Sequence, residues 1–478
     1  MLFTSFDFAV FMLTVFVIYW FASKGSYNLQ NIVLLIASYY FYSLWDWRFL
    51  LLLIASTIIG YCTGYMIYRA KTHAGRKSWL MLSIVLNCFL LFIFKYYNFI
   101  LTTLLNLLNV FHITFKITIT DTLLPIGISF YTFHNLSYVF DIYNRKRSPT
   151  KNLINYSLFV TFFPLLVAGP IERATHLLPQ IERARLFHYE DAVHGLRQIL
   201  WGLFKKIVIA DNCAQYVNQA FNAPEDYSGS DLVLGSVFFA TQIYGDFSGY
   251  SDIALGTARL LGFELLRNFS YPYFSRDIAE FWRRWHISLS SWFKDYLYIP
   301  LGGSKGGRWL KIRNVFIIFI LSGFWHGANW KFIVWGAINA VYFLPLLLLN
   351  KNRNNLEVVA KGKLLPSINE LIHILLTFSM TCFAWIFFRA DTFWDAIRYI
   401  SGFCSLSLFT LPLLGPGDLK LLILAFIIIE WIGREQPYAI AELGTKWPLL
   451  LRWSIYYILI IFIVINYGKN KAFIYFQF

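Results

Sequence analysis

The chain has 478 residues, of which 58% are hydrophobic and only 14% charged; its formal charge is +15 and its mean hydropathy +0.55. A soluble protein carries roughly 25% charged residues, so a soluble enzyme is excluded. Repeated apolar runs of span length make the chain a polytopic membrane protein. Its spans must be helical, because lipid offers the backbone no hydrogen-bond partners; the alternating ten-residue strands of a β-barrel are missing. In such a protein the positive charge fits positive-inside bias and interfacial anchoring, not nucleic-acid binding.

The expected fold is all-α. The N-terminal run MLFTSFDFAVFMLTVFVIYWFA lacks a basic leader and a small-residue cleavage site, so it reads as a retained first span. Spans are expected near 8–22, 31–44, 49–68, 79–100, 152–170, 198–213, 232–250, 312–326, 330–349, 370–389, 417–432 and 450–467, about 10–13 in all once short or tilted segments are allowed for. RAKTHAGRK (69–77) packs four Lys/Arg into a tight loop and marks the cytoplasmic side. Three spans precede it, which puts the N-terminus outside. No internal repeat or soluble domain interrupts the pattern, so residues 1–478 read as one membrane domain. The five cysteines are scattered in apolar surroundings and suggest neither a disulfide framework nor a metal site.

Segment 270–308 departs from the span pattern because it is too polar to cross lipid alone. As a helix from Asp277 it places Phe281, Trp285, Leu289, Trp292 and Tyr296 on one face and Arg284, Ser288, Ser291 and Asp295 on the other. Glu280 can pair with Arg284. The segment reads as an amphipathic or re-entrant helix lining a cavity, ended by Pro300 and LGGSKGG.

Of the nine histidines, His134, His286 and His326 have deep contexts. A buried histidine is commonly a hydrogen-bonded core residue, yet ionisable groups inside a membrane protein tend to mark pathways or sites. His326 closes a span in LSGFWHGANW (321–330). Gly327 and Ala328 leave the backbone bare for close approach, Asn329 offers a donor and an acceptor, and Trp325 and Trp330 would wall the site. A histidine titrating near neutrality suits general-base work on a hydroxyl. No further ligands stand at metal-binding spacing, and no GxSxG elbow or phosphate loop occurs.

Five ordered blocks, PIGISFYTF (125–133), LVAGPIERA (166–174), DFSGYSDIALG (246–256), EFWRRWHISLSSWFKDYLYIPLGG (280–303) and SGFWHGANW (322–330), together resemble the membrane-bound O-acyltransferase (MBOAT) family. The likeness covers most of the chain and is strongest to the branch of the alginate O-acetyltransferase membrane subunit, with the teichoic-acid D-alanyl transferase as a relative. It implies tilted helices around a central funnel and tunnel. An acyl donor enters from the cytosol and an acceptor from outside. His326 matches the family's near-invariant histidine and His286 its branch-specific second one; His134 stands where this branch has Gln and reads as structural. His326 is then the base, and His286 or Asn329 holds the oxyanion or orients the donor. Asp246, Ser248 and Ser251 either line the site with Trp325 or make helix-packing hydrogen bonds. The terminal F-x-Y-x-x-F (473–478) resembles a motif whose tyrosine is proposed to carry the acyl group onward, making Tyr475 either a relay or an interfacial anchor.

The resemblance thus implies an inner-membrane O-acyltransferase without a bound cofactor. It moves acetyl, from acetyl-CoA or an acyl carrier, toward a hydroxyl of an extracellular polysaccharide or cell-wall polymer, and a periplasmic acyltransferase partner completes the transfer. The rivals are D-alanyl transfer to teichoic acid and a transporter without chemistry.

Overall fold

The computed structural model describes residues 1–22, 26–113, 124–167 and 169–468, and every regular element among them is helical. Two compact units form. The first, Met1–Tyr189 with Ala258–Leu266, contains α1 (Phe6–Ala22), α2 (Tyr27–Ser43), α3 (Trp47–Arg69), α4 (His73–Leu91), α5 (Tyr97–Val110), α6 (Ile128–Tyr143), α7 (Leu153–Thr161), α8 (Phe163–Leu166) and α9 (Ala174–Ile181). The second, Glu190–Thr257 with Arg267–Phe478, contains α10 (Tyr189–Leu203), α11 (Asp211–Asn222), most of α12 (Gly229–Leu260), α13 (Ile278–Arg284), α14 (Ile287–Phe293), α15 (Arg308–His326), α16 (Trp330–Leu348), α17 (Ile368–Arg389), α18 (Phe393–Ser401), α19 (Gly417–Ile432) and α20 (Leu449–Asn466).

Five helical stretches among the described residues are long and apolar enough to cross a membrane by themselves: α3, the continuous His73–Val110 helix, α16, α17 and α20. The His73–Val110 helix joins α4 to α5 through a π turn at Phe92–Tyr96. The expected spans at 232–250 and 312–326 fall on α12 (32 residues) and α15 (19 residues), which are long but not apolar enough to count among these five, and the remaining ones fall on other helical segments. The tail motif 473–478, with Tyr475, lies outside the described residues.

In the first unit α3 packs through small residues. A Cβ at Gly60 would collide with the Tyr156 hydroxyl, and one at Gly64 with the Tyr138 ring. This GxxxG spacing lets polar side chains bond across the contact: Tyr156 Oη donates to Asn135 Oδ1 at 2.7 Å, and Asn135 Nδ2 donates to Ser56 Oγ at 2.8 Å. His134 sits fully buried in α6, where its Nε2 accepts the Glu172 backbone N–H at 3.2 Å.

In the second unit α10 runs into a π-helical turn, Phe204–Ala210, that carries two adjacent lysines into the interior. Buried charges in lipid surroundings must be paired. Lys206 lies 2.6 Å from Asp246 and 2.7 Å from Asp211, with all three side chains almost wholly buried. Lys205 reaches Asp252 at 2.6 Å and donates to Ser248 Oγ at 2.9 Å. The wider π turn aims successive lysines at different carboxylates of α12 and α11.

Segment 270–308 is not one helix. It breaks at Trp285–His286, where His286 adopts a left-handed backbone (φ 43°) and α14 restarts. The break is held in place by the Ile287 N–H donating to the Asn268 carbonyl at 2.9 Å. The expected apolar face, Phe281, Trp285, Leu289, Trp292 and Tyr296, is buried throughout, and Glu280 pairs with Arg284 at 2.9 Å.

Helices α15 and α16 form a tight hairpin. A Cβ at Gly323 would strike the Phe332 carbonyl and one at Gly336 the Phe319 carbonyl, so the two backbones nearly touch. Gly323→Val is expected to cost about 1–3 kcal/mol through overpacking and to lower the unfolding temperature of the detergent-solubilised protein. Gly307→Ala, whose Cβ meets no atom within 4 Å, should leave it unchanged. Lys206→Met leaves Asp246 and Asp211 without their shared cation and should cost about 3–5 kcal/mol. Adding Asp246→Asn should recover part of that loss; a Lys206→Met protein as stable as the parent would refute the buried pairing.

Candidate active site

The α15–α16 hairpin sets the position of His326. The residue ends α15 and is 4% exposed. Its imidazole packs against Trp325 (centroids 4.8 Å apart), edge-on to Trp335 (5.3 Å, 90°) and against Phe388 of α17 (5.2 Å). Behind it Trp335 stacks on Trp385 at 5.6 Å and 17°. Three large rings, one each from α15, α16 and α17, therefore pack against this histidine, with Trp385 behind them.

The flanking residues do other work than the sequence suggested. A Cβ at Gly327 would run into the Phe332 ring, so this glycine makes room for a neighbouring side chain and not for a substrate. Asn329 caps α16: its Oδ1 accepts the Lys331 backbone N–H at 3.1 Å. Trp330 is 54% exposed, and Trp335 and Phe388 pack against the His326 ring.

His286 packs against the same Trp325 indole. Its ring packs 4.7 Å from Phe247 and 5.9 Å from Trp325, so a single indole touches both histidines. Neither ring nitrogen of His286 meets a hydrogen-bonding side chain among the described residues. Burial pushes its pKa down to about 3, which keeps the imidazole neutral at physiological pH, with one N–H able to donate and one nitrogen able to accept. The left-handed break in 270–308 turns this ring toward Trp325.

The DFSGYSD block divides its side chains. Phe247 contacts His286, whereas Asp246 and Ser248 face the lysine pair and Ser251 accepts from Asn268 Nδ2 at 3.1 Å. Ser248, Asp252, Lys205 and Asn268 border a small polar cavity, together with Tyr244 and Glu430. Asn268 also accepts from Ser288 Oγ at 2.6 Å, which ties the cavity wall to the helix that follows His286. Glu430 is fully engaged: Tyr244 Oη donates to one carboxylate oxygen at 2.6 Å and Trp201 Nε1 to the other at 3.0 Å.

The structure thus brings Trp325, His326 and His286 together and gives Asp246, Ser248 and Asn329 structural hydrogen bonds or ion pairs. Among the described residues no cluster of His, Cys, Asp or Glu is arranged to hold a metal ion. Sequence reasoning missed Trp335, Phe388 and the lysine pair. The signal for the lysines was present, since the KK of LFKKIVIA interrupts an apolar run with charge. Trp335 and Phe388 carried no signal that separates them from core aromatics.

Residues 39–398 match the membrane-bound O-acyltransferase family. The probable alginate O-acetylase AlgI of Pseudomonas aeruginosa is 36% identical over 455 residues, covering 94% of this chain and 84% of the relative. A peptidoglycan O-acetyltransferase of Helicobacter pylori is 33% identical, covering 78% of this chain and 73% of the relative. The teichoic acid D-alanyltransferase of Bacillus subtilis is 27% identical over 56% of this chain and 69% of its own length. With the family matched over three-quarters of its length and O-acetyltransferase relatives alongside most of it, the chain belongs to the membrane-bound O-acyltransferase family and is an O-acyltransferase.

Proposed function

We propose that the protein transfers acetyl from a cytosolic thioester, acetyl-CoA, across the bacterial inner membrane for O-acetylation of an extracellular polysaccharide or cell-wall polymer. The observation that carries this reading is the enclosure of His326 by Trp325, Trp335 and Phe388, with His286 in contact with the same Trp325 indole. His326 takes the proton of the acceptor hydroxyl as its oxygen attacks the thioester carbonyl. The tetrahedral intermediate then collapses, the C–S bond breaks, and the proton passes from His326 to the departing thiolate. A neutral His286 N–H is suited to hold the carbonyl oxygen as charge develops. The acetate relatives support acetyl over D-alanyl, because they match more of the chain at higher identity. A periplasmic acyltransferase receives the acetyl group, either directly or from Tyr475.

His326→Ala is expected to lower polymer O-acetylation by about 10²–10⁴-fold, the usual contribution of a general base, while the protein still reaches the membrane. Mass spectrometry of the extracellular polymer reads the effect; normal acetyl content in that variant would sink the catalytic role and favour a transporter. For Tyr475 the informative change is Phe, which keeps the ring and removes the hydroxyl. Loss of acetylation supports the relay, and unchanged acetylation reduces the tail to an aromatic anchor.

A further inference from the structure

The second unit carries a long apolar groove that the transfer reaction does not use. It runs between α12, the first half of α17 and the last turns of α19 and is open along one side. On α17, Leu371, Ile374, Leu375 and Phe378 line it at i, i+3, i+4 and i+7 spacing. Phe426 and Ile374 are buried in its floor, while Leu375 (55% exposed) and Ile428 (50% exposed) stand on its rims.

We propose that this groove is a binding site for one acyl chain of a membrane glycerophospholipid, held as a resident lipid. Three observations favour that occupant. First, α17 is long and apolar enough to cross a membrane, which puts hydrocarbon beside the groove. A vacant groove would leave its lining without dispersion partners, and only a chain as slender as a lipid tail fills it from the bilayer. Second, the polar groups at the deep end are already satisfied. The Tyr244 hydroxyl donates to Glu430, and the Tyr271 hydroxyl to the Gln436 carbonyl at 3.1 Å, so that end offers nothing to a headgroup. Third, the other end opens at Leu364, Leu365 and Pro366, just before the Ser367 cap of α17. There Trp431 Nε1 donates to the Leu364 carbonyl at 2.7 Å, and Lys361 and Lys363 are exposed. An indole and lysines at a span's end suit the phosphate and ester level of a bilayer. The groove is therefore graded along its length in the sense of a phospholipid, with its lysine-bearing end suited to the interface and its other end lined by apolar side chains and satisfied hydroxyls.

The test uses the full chain in vesicles of phosphatidylethanolamine and phosphatidylglycerol doped with a phospholipid bearing a photoactivatable diazirine midway along one acyl chain. After illumination, adducts are mapped by peptide mass spectrometry. The expected result is enrichment at Leu375, Phe378 and Ile427 over the outward face of α20, where Ile461 and Val464 are freely exposed. The double variant Leu375→Trp, Ile428→Trp fills the groove from its exposed rims. It should lose the groove adducts and keep those on α20, and the retained α20 labelling reports an intact fold. Equal labelling of groove and α20, or groove adducts that persist in the blocked variant, would overturn the site. Replacement of lipid adducts by crosslinks to peptides from 469–478 would overturn it too, by making the chain's own tail the occupant. None of these readings depends on acetyl transfer.

Discussion

The close approach of α15 and α16 is the contact on which the candidate site depends. At Gly323 and Gly336 each backbone lies against a carbonyl of the other helix, and no larger residue fits. Because of this contact, Trp335 lies edge-on to a histidine one turn beyond Gly323 in sequence, and Phe388 of α17 closes the same ring. In hydrocarbon surroundings helices gain little from hydrophobic burial against one another, so close packing of small residues must hold them. The motif SGFWHGANW is therefore largely a device for positioning: Gly323 and Gly327 set distances, Asn329 caps the next helix, and His326 is what they position.

The same medium explains the lysine pair. A charge buried away from water is tolerated only with its counter-charge, and the π turn at Phe204–Ala210 supplies two such pairings in succession. Asp246 and Asp252, both on α12, each neutralise one lysine. Between them in sequence lies Phe247, the residue in contact with His286. The ion pairs thus fix the rotation of α12 about its axis, and that rotation presents Phe247 to the histidine. Removing a lysine would disturb the site without touching it.

How much of this was legible depended on how local the cause was. Helix positions followed from apolar runs, since a span needs little more than length and composition. His326 stood out because an ionisable residue closing such a run is costly, and His286 because its block resembles the family's. The break at Trp285–His286 was not legible: EFWRRWHISLSSWF has unbroken helical periodicity, and the interruption comes from a tertiary bond, Ile287 N–H to the Asn268 carbonyl, which no local pattern announces. The misreading of Gly327 has the same origin. A bare backbone looks like an invitation to substrate until the ring of Phe332, five residues on, is found occupying the space. Trp330 and Trp335 illustrate it again: both are tryptophans on one helix, and only the packing of α17 shows which of them faces His326.

The aromatic enclosure bears directly on why such a site transfers acyl groups instead of hydrolysing them. A thioester beside a general base is open to attack by any hydroxyl, and water is the most abundant. Trp325, Trp335 and Phe388 occupy three sides of the His326 ring, and Trp385 and Phe332 stand behind them. Rings of this size leave little room for a chain of ordered water and offer it few hydrogen-bond partners. An acceptor hydroxyl delivered on a larger molecule brings its own binding energy to the site, and water brings none. In the proposed reaction the selectivity for transfer rests on exclusion: His326, as the proposed base, is surrounded on its protein side by carbon, and the approach left to it is the one an acceptor must fill.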